Sequence, residues 1–251
     1  MFSIDLNCDM GESFGAWEMG RDTELMDFVS SVNIACGFHA GDASVIRKTI
    51  ETAIEKGVAV GAHPSFPDLQ GFGRREMRMN AREIFDIILY QVSAVKGICE
   101  ALGAHLHHVK PHGALYNQAS KDEPIAGAIA KAVKAIDANL ILYGLSESYL
   151  ISEAEKINLK TASEVFADRT YKADGSLTPR SEPNALITDR EKAAAQVWQM
   201  ISAQTVRATN GATVSIKAET VCIHGDSANA LEFAKTIRQK LIEQGVTVKS
   251  I

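Results

Sequence analysis

Short apolar runs alternate with helix-period segments along the whole chain, and polar or ionisable residues recur where the apolar runs stop. The runs predict strands near 3–9, 31–36, 58–63, 105–110, 139–144, 160–167 and 219–224. Between most of them, apolar positions return at intervals of three and four. Segment 42–56 carries Val45, Ile46, Thr49, Ile50, Ala53 and Ile54 at that spacing, and Gly57 stops it as a left-handed cap would. Asn80-Ala81-Arg82-Glu83 reads as a capping box. It opens a helix with Ile84, Ile87, Ile88, Val92 and Val95 on one side and Gly103 past its end. Segment 226–244 repeats the scheme, with Asp226 as cap, Leu231, Ala234, Ile237, Leu241 and Ile242 inward, and Gly245 after it. Such alternation implies an α/β fold with a parallel sheet and right-handed crossovers. Seven strands favour a closed or nearly closed parallel (β/α) barrel over an open sheet. The last run, Val246-Thr247-Val248-Lys249, is an eighth strand or a tail.

The chain has 251 residues and no linker, repeat or low-complexity tract, so it reads as one domain over 1–251. A net charge of −5 without a basic patch argues against nucleic acid or an anionic membrane as the main partner. The start, Met1-Phe2-Ser3-Ile4-Asp5, lacks the features of a signal peptide, and no run approaches the ~18 apolar residues of a membrane span. Cys8, Cys36, Cys99 and Cys222 form no CxxC pair, which fits reduced thiols and a cytoplasmic location. Two long connections, 64–79 and 167–189, have the length of functional lids.

Candidate chemistry sits at the strand ends, where a parallel barrel builds its active site. Asp9, in Asn7-Cys8-Asp9-Met10-Gly11-Glu12, is a metal ligand, a base, or a cap for the next loop. In Ala62-His63-Pro64 and Lys110-Pro111-His112, proline holds the preceding residue extended, so His63 and Lys110 fall at strand ends and His112 at the mouth. Two imidazoles and a carboxylate suit a divalent ion that activates water, although such residues also serve without metal. Lys110 either polarises a carbonyl or phosphoryl oxygen or pairs with a strand-end acid. Strand alternation places His108 on the Lys110 face and His107 on the other, so the His105, His107, His108 cluster reads as mostly structural. His39 and Asp42 lie at the mouth, Asp42 as a helix cap, and His224 faces the site from the last strand. Among Arg74, Arg75, Arg169 and Arg180 in the long loops, one or two would clamp a carboxylate or phosphate. The chain has no GxxxxGK[ST] loop, no GxGxxG after the first strand and no GxSxG elbow.

The blocks Asp5-Leu6-Asn7-Cys8-Asp9-Met10-Gly11-Glu12, Asn33-Ile34-Ala35-Cys36-Gly37-Phe38-His39-Ala40-Gly41-Asp42, Gly61-Ala62-His63-Pro64-Ser65, Val109-Lys110-Pro111-His112-Gly113-Ala114-Leu115-Tyr116-Asn117 and Glu164-Val165-Phe166-Ala167-Asp168-Arg169 resemble the LamB/YcsF family over essentially the whole chain. The resemblance implies a seven-stranded barrel of the glycoside hydrolase/deacetylase kind. It also implies service as the A component of a bacterial ATP-dependent 5-oxoprolinase, which opens the small molecule 5-oxo-L-proline to L-glutamate with partner subunits B and C. ATP would then be a co-substrate held mainly by the partners. Deacetylase relatives with a similar Asn-x-Asp start bind a metal through an Asp and two His, which falls here on Asp9, His63 and His112. Those relatives often have two adjacent acids where this chain has one, so either Asp9 chooses between ligand and base, or Glu12 takes one of the two roles. The implied catalytic set is Asp9, Glu12, Lys110 and His112, with Asn7, His39, Arg74, Arg169, Arg180 and His224 as substrate contacts. The alternatives are a stand-alone metal-dependent deacetylase of a small amide or sugar and a non-catalytic scaffold subunit.

Overall fold

The computed structural model describes residues 2–224 and 230–251. In chain order the elements are β1 (Ser3–Met10), α1 (Asp22–Leu25), β2 (Ser31–Ala35), α2 (Ala43–Lys56), β3 (Ala59–His63), α3 (Ala81–Ala101), β4 (His108–Val109), α4 (Gly113–Ala119), α5 (Glu123–Ile136), β5 (Ile141–Leu145), α6 (Tyr149–Lys156), β6 (Lys160–Phe166), α7 (Arg190–Ala203), β7 (Thr205–Arg207), β8 (Thr213–Ser215), β9 (Thr220–Ile223), α8 (Ala230–Glu243) and β10 (Thr247–Val248). Strands β1 to β6 pair in sequence order, all parallel; β9 then pairs with both β6 and β1 and closes a seven-stranded ring. β10 adds to the entry end of β1 outside that ring, with Ser3 opposite Thr247. The last run is thus an eighth parallel strand, but not a barrel stave.

Local chemistry places the helices where the apolar periods put them. Asp42 accepts from the amides of Ser44 and Val45 to cap α2, and Gly57 ends it at φ +65°. Asn80 and Glu83 form the reciprocal capping box of α3. The start of the helix expected at 226, including Asp226, lies outside the described residues. The strand expected over 105–110 shortens to His108–Val109, although the amides of His107 and Lys110 still donate to Val60 and Ala62 of β3. Proline at 111, which has no amide hydrogen, fits the end of that pairing. Among the described residues, no helix is long and apolar enough to cross a membrane.

Strand alternation separates two environments. Leu6, Cys8 and Met10 of β1, Val32 and Ile34 of β2, Val165 of β6 and Val221 of β9 join the apolar layer beneath the helices. The opposite face holds Asp5, Asn7 and Asp9, Ser31 and Asn33, Glu164 and Thr220, all buried. Register brings them level, with Asp5 opposite Thr220, Asn7 opposite Cys222 and Asp9 opposite Asn33. The barrel axis is therefore a polar column, in place of the stacked Val, Ile and Leu layers usual for (β/α) barrels.

Candidate active site

The column begins at Asp5, whose carboxylate accepts from the hydroxyls of Ser30 (2.7 Å), Ser31 (2.7 Å), Thr220 (2.6 Å) and Tyr143 (3.0 Å). One layer up, the Asn7 amide donates to Thr220 Oγ1 at 2.7 Å and Glu164 Oε1 at 3.0 Å. Asn33 donates to Asn7 Oδ1 and Asp9 Oδ1, and its own oxygen accepts from His108 Nε2 at 2.8 Å. His108 stacks on Tyr143 with ring centroids 4.0 Å apart, a structural role as expected.

Lys110 closes the column. Its ammonium lies 2.9 Å from Asp9 Oδ1, 2.8 Å from Glu164 Oε1, 3.0 Å from Cys222 Sγ and 3.2 Å from Asn7 Oδ1. Burial alone would pull the ammonium down, but Asp9 and Glu164 beside it hold it well above its ordinary value. Burial alone would likewise raise the Asp9 carboxyl; His63 and Lys110 overcome that and hold it well below the usual carboxylate range. The Tyr116 hydroxyl donates to Glu164 Oε2 at 2.7 Å.

Above this layer, three imidazoles meet. His63 Nδ1 lies 2.7 Å from the Lys110 carbonyl, and His112 Nε2 lies 2.9 Å from the Phe72 carbonyl. A carbonyl oxygen only accepts, so each of those nitrogens carries the hydrogen. The other two nitrogens, His63 Nε2 and His112 Nδ1, face each other at 2.9 Å. His39 stacks on His112 with centroids 3.8 Å apart, and neither of its ring nitrogens has a hydrogen-bond partner among the described residues. Glu12 Oε1 lies 3.6 Å from His39 Nε2 and 3.7 Å from His112 Nδ1. Gly73, at φ +63°, is needed for this packing: a Cβ there would come within 2.8 Å of His112 Cδ2 and 3.0 Å of His39 Cβ.

A second pair lies beside Asp9, with a His224 ring nitrogen within 4.8 Å of its carboxylate. His224 Nδ1 donates to Asp168 at 2.8 and 2.9 Å, which makes Nε2 the lone-pair nitrogen. Burial alone would raise the Asp168 carboxyl, but His224, Arg180 and Arg169 hold it lowered. Arg169 is buried and donates to the carbonyls of Thr178 and Ala185; burial and the nearby Arg180 push it down to about 10.

One cavity of about 710 Å³ collects most of the expected residues: Asp9, Glu12, His63, Arg74, Lys110, His112, Arg169, Arg180 and His224 line it. Asn7 and His39, expected as substrate contacts, do not. Asn7 spends its amide inside the column, and His39 is buried against His112. Arg75 turns outward to pair with Asp68. The ligand atoms of Glu12, His39, His63 and His112 fall within 4.8 Å of one another, as do those of Asp9, Cys222 and His224. Of the expected Asp9, His63, His112 triad, Asp9 Oδ2 lies 3.3 Å from His63 Nε2, which in turn lies 2.9 Å from His112 Nδ1. Sequence reasoning missed Glu164, Asp168 and Tyr116 as site residues, although all three stand in the blocks that carry the family resemblance and the strand period puts Glu164 and Phe166 on the same face.

The LamB/YcsF family pattern matches residues 4–251. The 5-oxoprolinase A subunit of Tolumonas auensis is 58% identical over all of both chains, and that of Bacillus subtilis is 55% identical over all of this chain and 98% of its own. The crystal structure of a lactam utilization protein from Thermus thermophilus superposes with a TM-score of 0.94 at 46% identity, covering both chains fully. A family 4 carbohydrate esterase from Streptomyces lividans, at 12% identity and a TM-score of 0.52 over all of this chain and 93% of its own, shares the barrel fold alone. The chain belongs to the LamB/YcsF family.

Proposed function

We propose that this chain is the A component of an ATP-dependent 5-oxoprolinase, working with subunits B and C to convert 5-oxo-L-proline, ATP and water to L-glutamate, ADP and phosphate. Full-length similarity to proteins of that name supports the substrate class. The observation that carries the chemistry is the pairing of Asp168 with His224 beside the Asp9–Lys110 pair at one cavity wall.

A lactam resists hydrolysis because its nitrogen lone pair is delocalised into the carbonyl. Transfer of the γ-phosphoryl group to the lactam oxygen releases ADP and leaves an imidate phosphate, an electrophile that water can attack. We assign this phosphorylation to the partner subunits, because the chain carries no familiar phosphate-binding loop. Ring opening belongs here. Asp9, expected as the base, is held too low to be an effective proton acceptor, since a catalytic base works best with a pKa near the operating pH. Geometry gives that role to His224, whose Nδ1 is held by Asp168: its Nε2 takes a proton from water adding to the ring carbon and returns it to the departing nitrogen as the C–N bond breaks. Asp168 fixes its tautomer and steadies the imidazolium. The product at that stage is γ-glutamyl phosphate, and a second water yields glutamate and phosphate. Asp9 orients the attacking water, Lys110 keeps Asp9 ionised and sets positive charge beneath the developing oxyanion, and Arg169, Arg180 or Arg74 holds carboxylate or phosphoryl oxygens.

The test is reconstitution with subunits B and C. Oxoproline-dependent ADP release and glutamate formation that vanish without this chain are expected; turnover that does not require it would refute the assignment. The histidine cluster favours one second reading, a metal-dependent deacetylase, which would release acetate from small amides without ATP.

A further inference from the structure

We infer that Glu12, His39, His63 and His112 form a binding site for one divalent transition-metal ion, with His39 and Glu12 among its ligands. The inference goes beyond the oxoprolinase reading and holds whichever amide is opened. Three features of the cluster carry it.

The first is hydrogen-bond accounting. With His63 Nδ1 and His112 Nε2 committed as donors to carbonyls, the nitrogens facing each other at 2.9 Å are the pair left to hold either one shared proton or a cation. A metal-bound histidine typically donates its other ring hydrogen to a carbonyl or carboxylate, and His63 and His112 are held that way.

The second is His39. It is 1% exposed and neither ring nitrogen has a hydrogen-bond partner among the described residues, so its burial costs desolvation that no hydrogen bond offsets. A metal at the cluster would engage Nε2, the nitrogen 3.6 Å from Glu12 Oε1. The third is spacing and charge. Ligand bonds of about 2.0–2.1 Å in a tetrahedron place neighbouring ligand atoms roughly 3.3–3.4 Å apart. The distances here, 2.9, 3.6 and 3.7 Å, bracket that value. Glu12 supplies a negative charge to the set alongside three imidazoles.

The donor set also selects the ion. Three imidazoles and one carboxylate suit Zn²⁺, Co²⁺, Ni²⁺ or Fe²⁺, whereas Mg²⁺ and Ca²⁺ require oxygen-rich shells. Asp9 Oδ1 accepts from Lys110 and Asn33 and Asp9 Oδ2 lies 3.3 Å from His63 Nε2, so the proposed set adds Glu12 and His39 beside that pair. This differs from the Asp9, His63, His112 set that resemblance to deacetylases implied.

The full chain, stripped with chelator and titrated with Co²⁺, should bind about one equivalent, develop the visible absorption of a four-coordinate Co²⁺ site, and melt at higher temperature with added Zn²⁺. His39→Gln and Glu12→Gln should each weaken Co²⁺ binding at least tenfold. Circular dichroism of each apo variant establishes that it folds; should one fail, the other reads the same site. No spectrum in the wild type, or retention of binding in His39→Gln and Glu12→Gln, overturns the inference. A wild-type chain that binds no Co²⁺ and holds a proton between His63 and His112, read from imidazole ¹⁵N shifts, overturns it as well. None of these readouts depends on turnover, so failure here leaves the oxoprolinase reading standing, and the converse holds too.

Discussion

Lys110 and Glu164 meet at 2.8 Å in the middle of the barrel, with the carboxylate fully buried and Asp9 on the same ammonium at 2.9 Å. Neither acid alone fixes the lysine; together with Asn7 they surround it. Glu164→Gln keeps the shape and removes one charge, and it is expected to cost about 1–3 kcal/mol in denaturant unfolding. Lys110→Met should cost more, roughly 3–5 kcal/mol, because it leaves two buried carboxylates facing each other without their cation. Equal losses for the two variants would show that the ammonium is not the centre of the network.

The Asp168–His224 pair acts as a unit if His224 moves the protons. His224→Ala in the reconstituted complex is expected to lower kcat by roughly 10²–10⁴-fold. Asp168→Ala should also lower it, and the double variant should be little worse than His224→Ala alone, since Asp168 works through the imidazole. Multiplying effects in steady-state kinetics would separate the two residues.

Asp168 also sets a pH dependence of stability. Its folded carboxyl is held below the ordinary value near 3.8, so it binds a proton less readily than the unfolded chain does. Its contribution is therefore complete above the ordinary carboxylate range and lost as pH falls through the lowered folded pKa. Asp168→Asn should unfold more easily at neutral pH by about 1 kcal/mol, the difference between a charged and a neutral hydrogen bond. The gap to wild type should narrow below about pH 4. A gap constant from pH 7 to pH 3 in urea titrations would contradict that assignment.

Features set by a few neighbouring residues were legible in the sequence. Asp42 and Gly57 bracket α2, Asn80 and Glu83 open α3, and period-two alternation in β1 put Asp5, Asn7 and Asp9 on one face. Convergence of Asp9, His63, Lys110 and His112 followed from strand ends in one barrel. What stayed hidden depends on register between distant strands. Glu164 reaches Lys110 only because β6 closes onto β9 and β9 onto β1, and Glu12 joins Asp9 beside the imidazoles because the chain turns at Gly11 (φ +68°). The hairpin of β7 and β8 carries too short an apolar pattern to register as strands.

Gly97 lies inside α3, and a Cβ there would meet nothing within 4 Å. Gly97→Ala should stabilise the chain by roughly 0.5–1 kcal/mol through helix propensity, with glutamate formation unchanged. A loss of stability on thermal melting would mean that α3 packs more tightly at this position than the geometry allows.

Gly61 presents the opposite case. Its backbone is ordinary strand, so conformational freedom does not explain the glycine; space does. A Cβ at this position would lie 2.1 Å from His108 Nε2, closer than any side chain can tolerate. His108 would have to leave Asn33, whose amide steers both Asn7 and Asp9. Gly61→Ala is therefore expected to cost about 1–3 kcal/mol from overpacking, and more if the Asn33 oxygen is left buried without a donor. Activity should fall as well, although residue 61 lies below the cavity, because Asn33 would no longer hold the carboxylate of Asp9. Restoring space with Gly61→Ala, His108→Ala should recover part of the stability but little of the turnover. Recovery of both would mean that His108 only fills volume and that Asp9 is held by Lys110 alone.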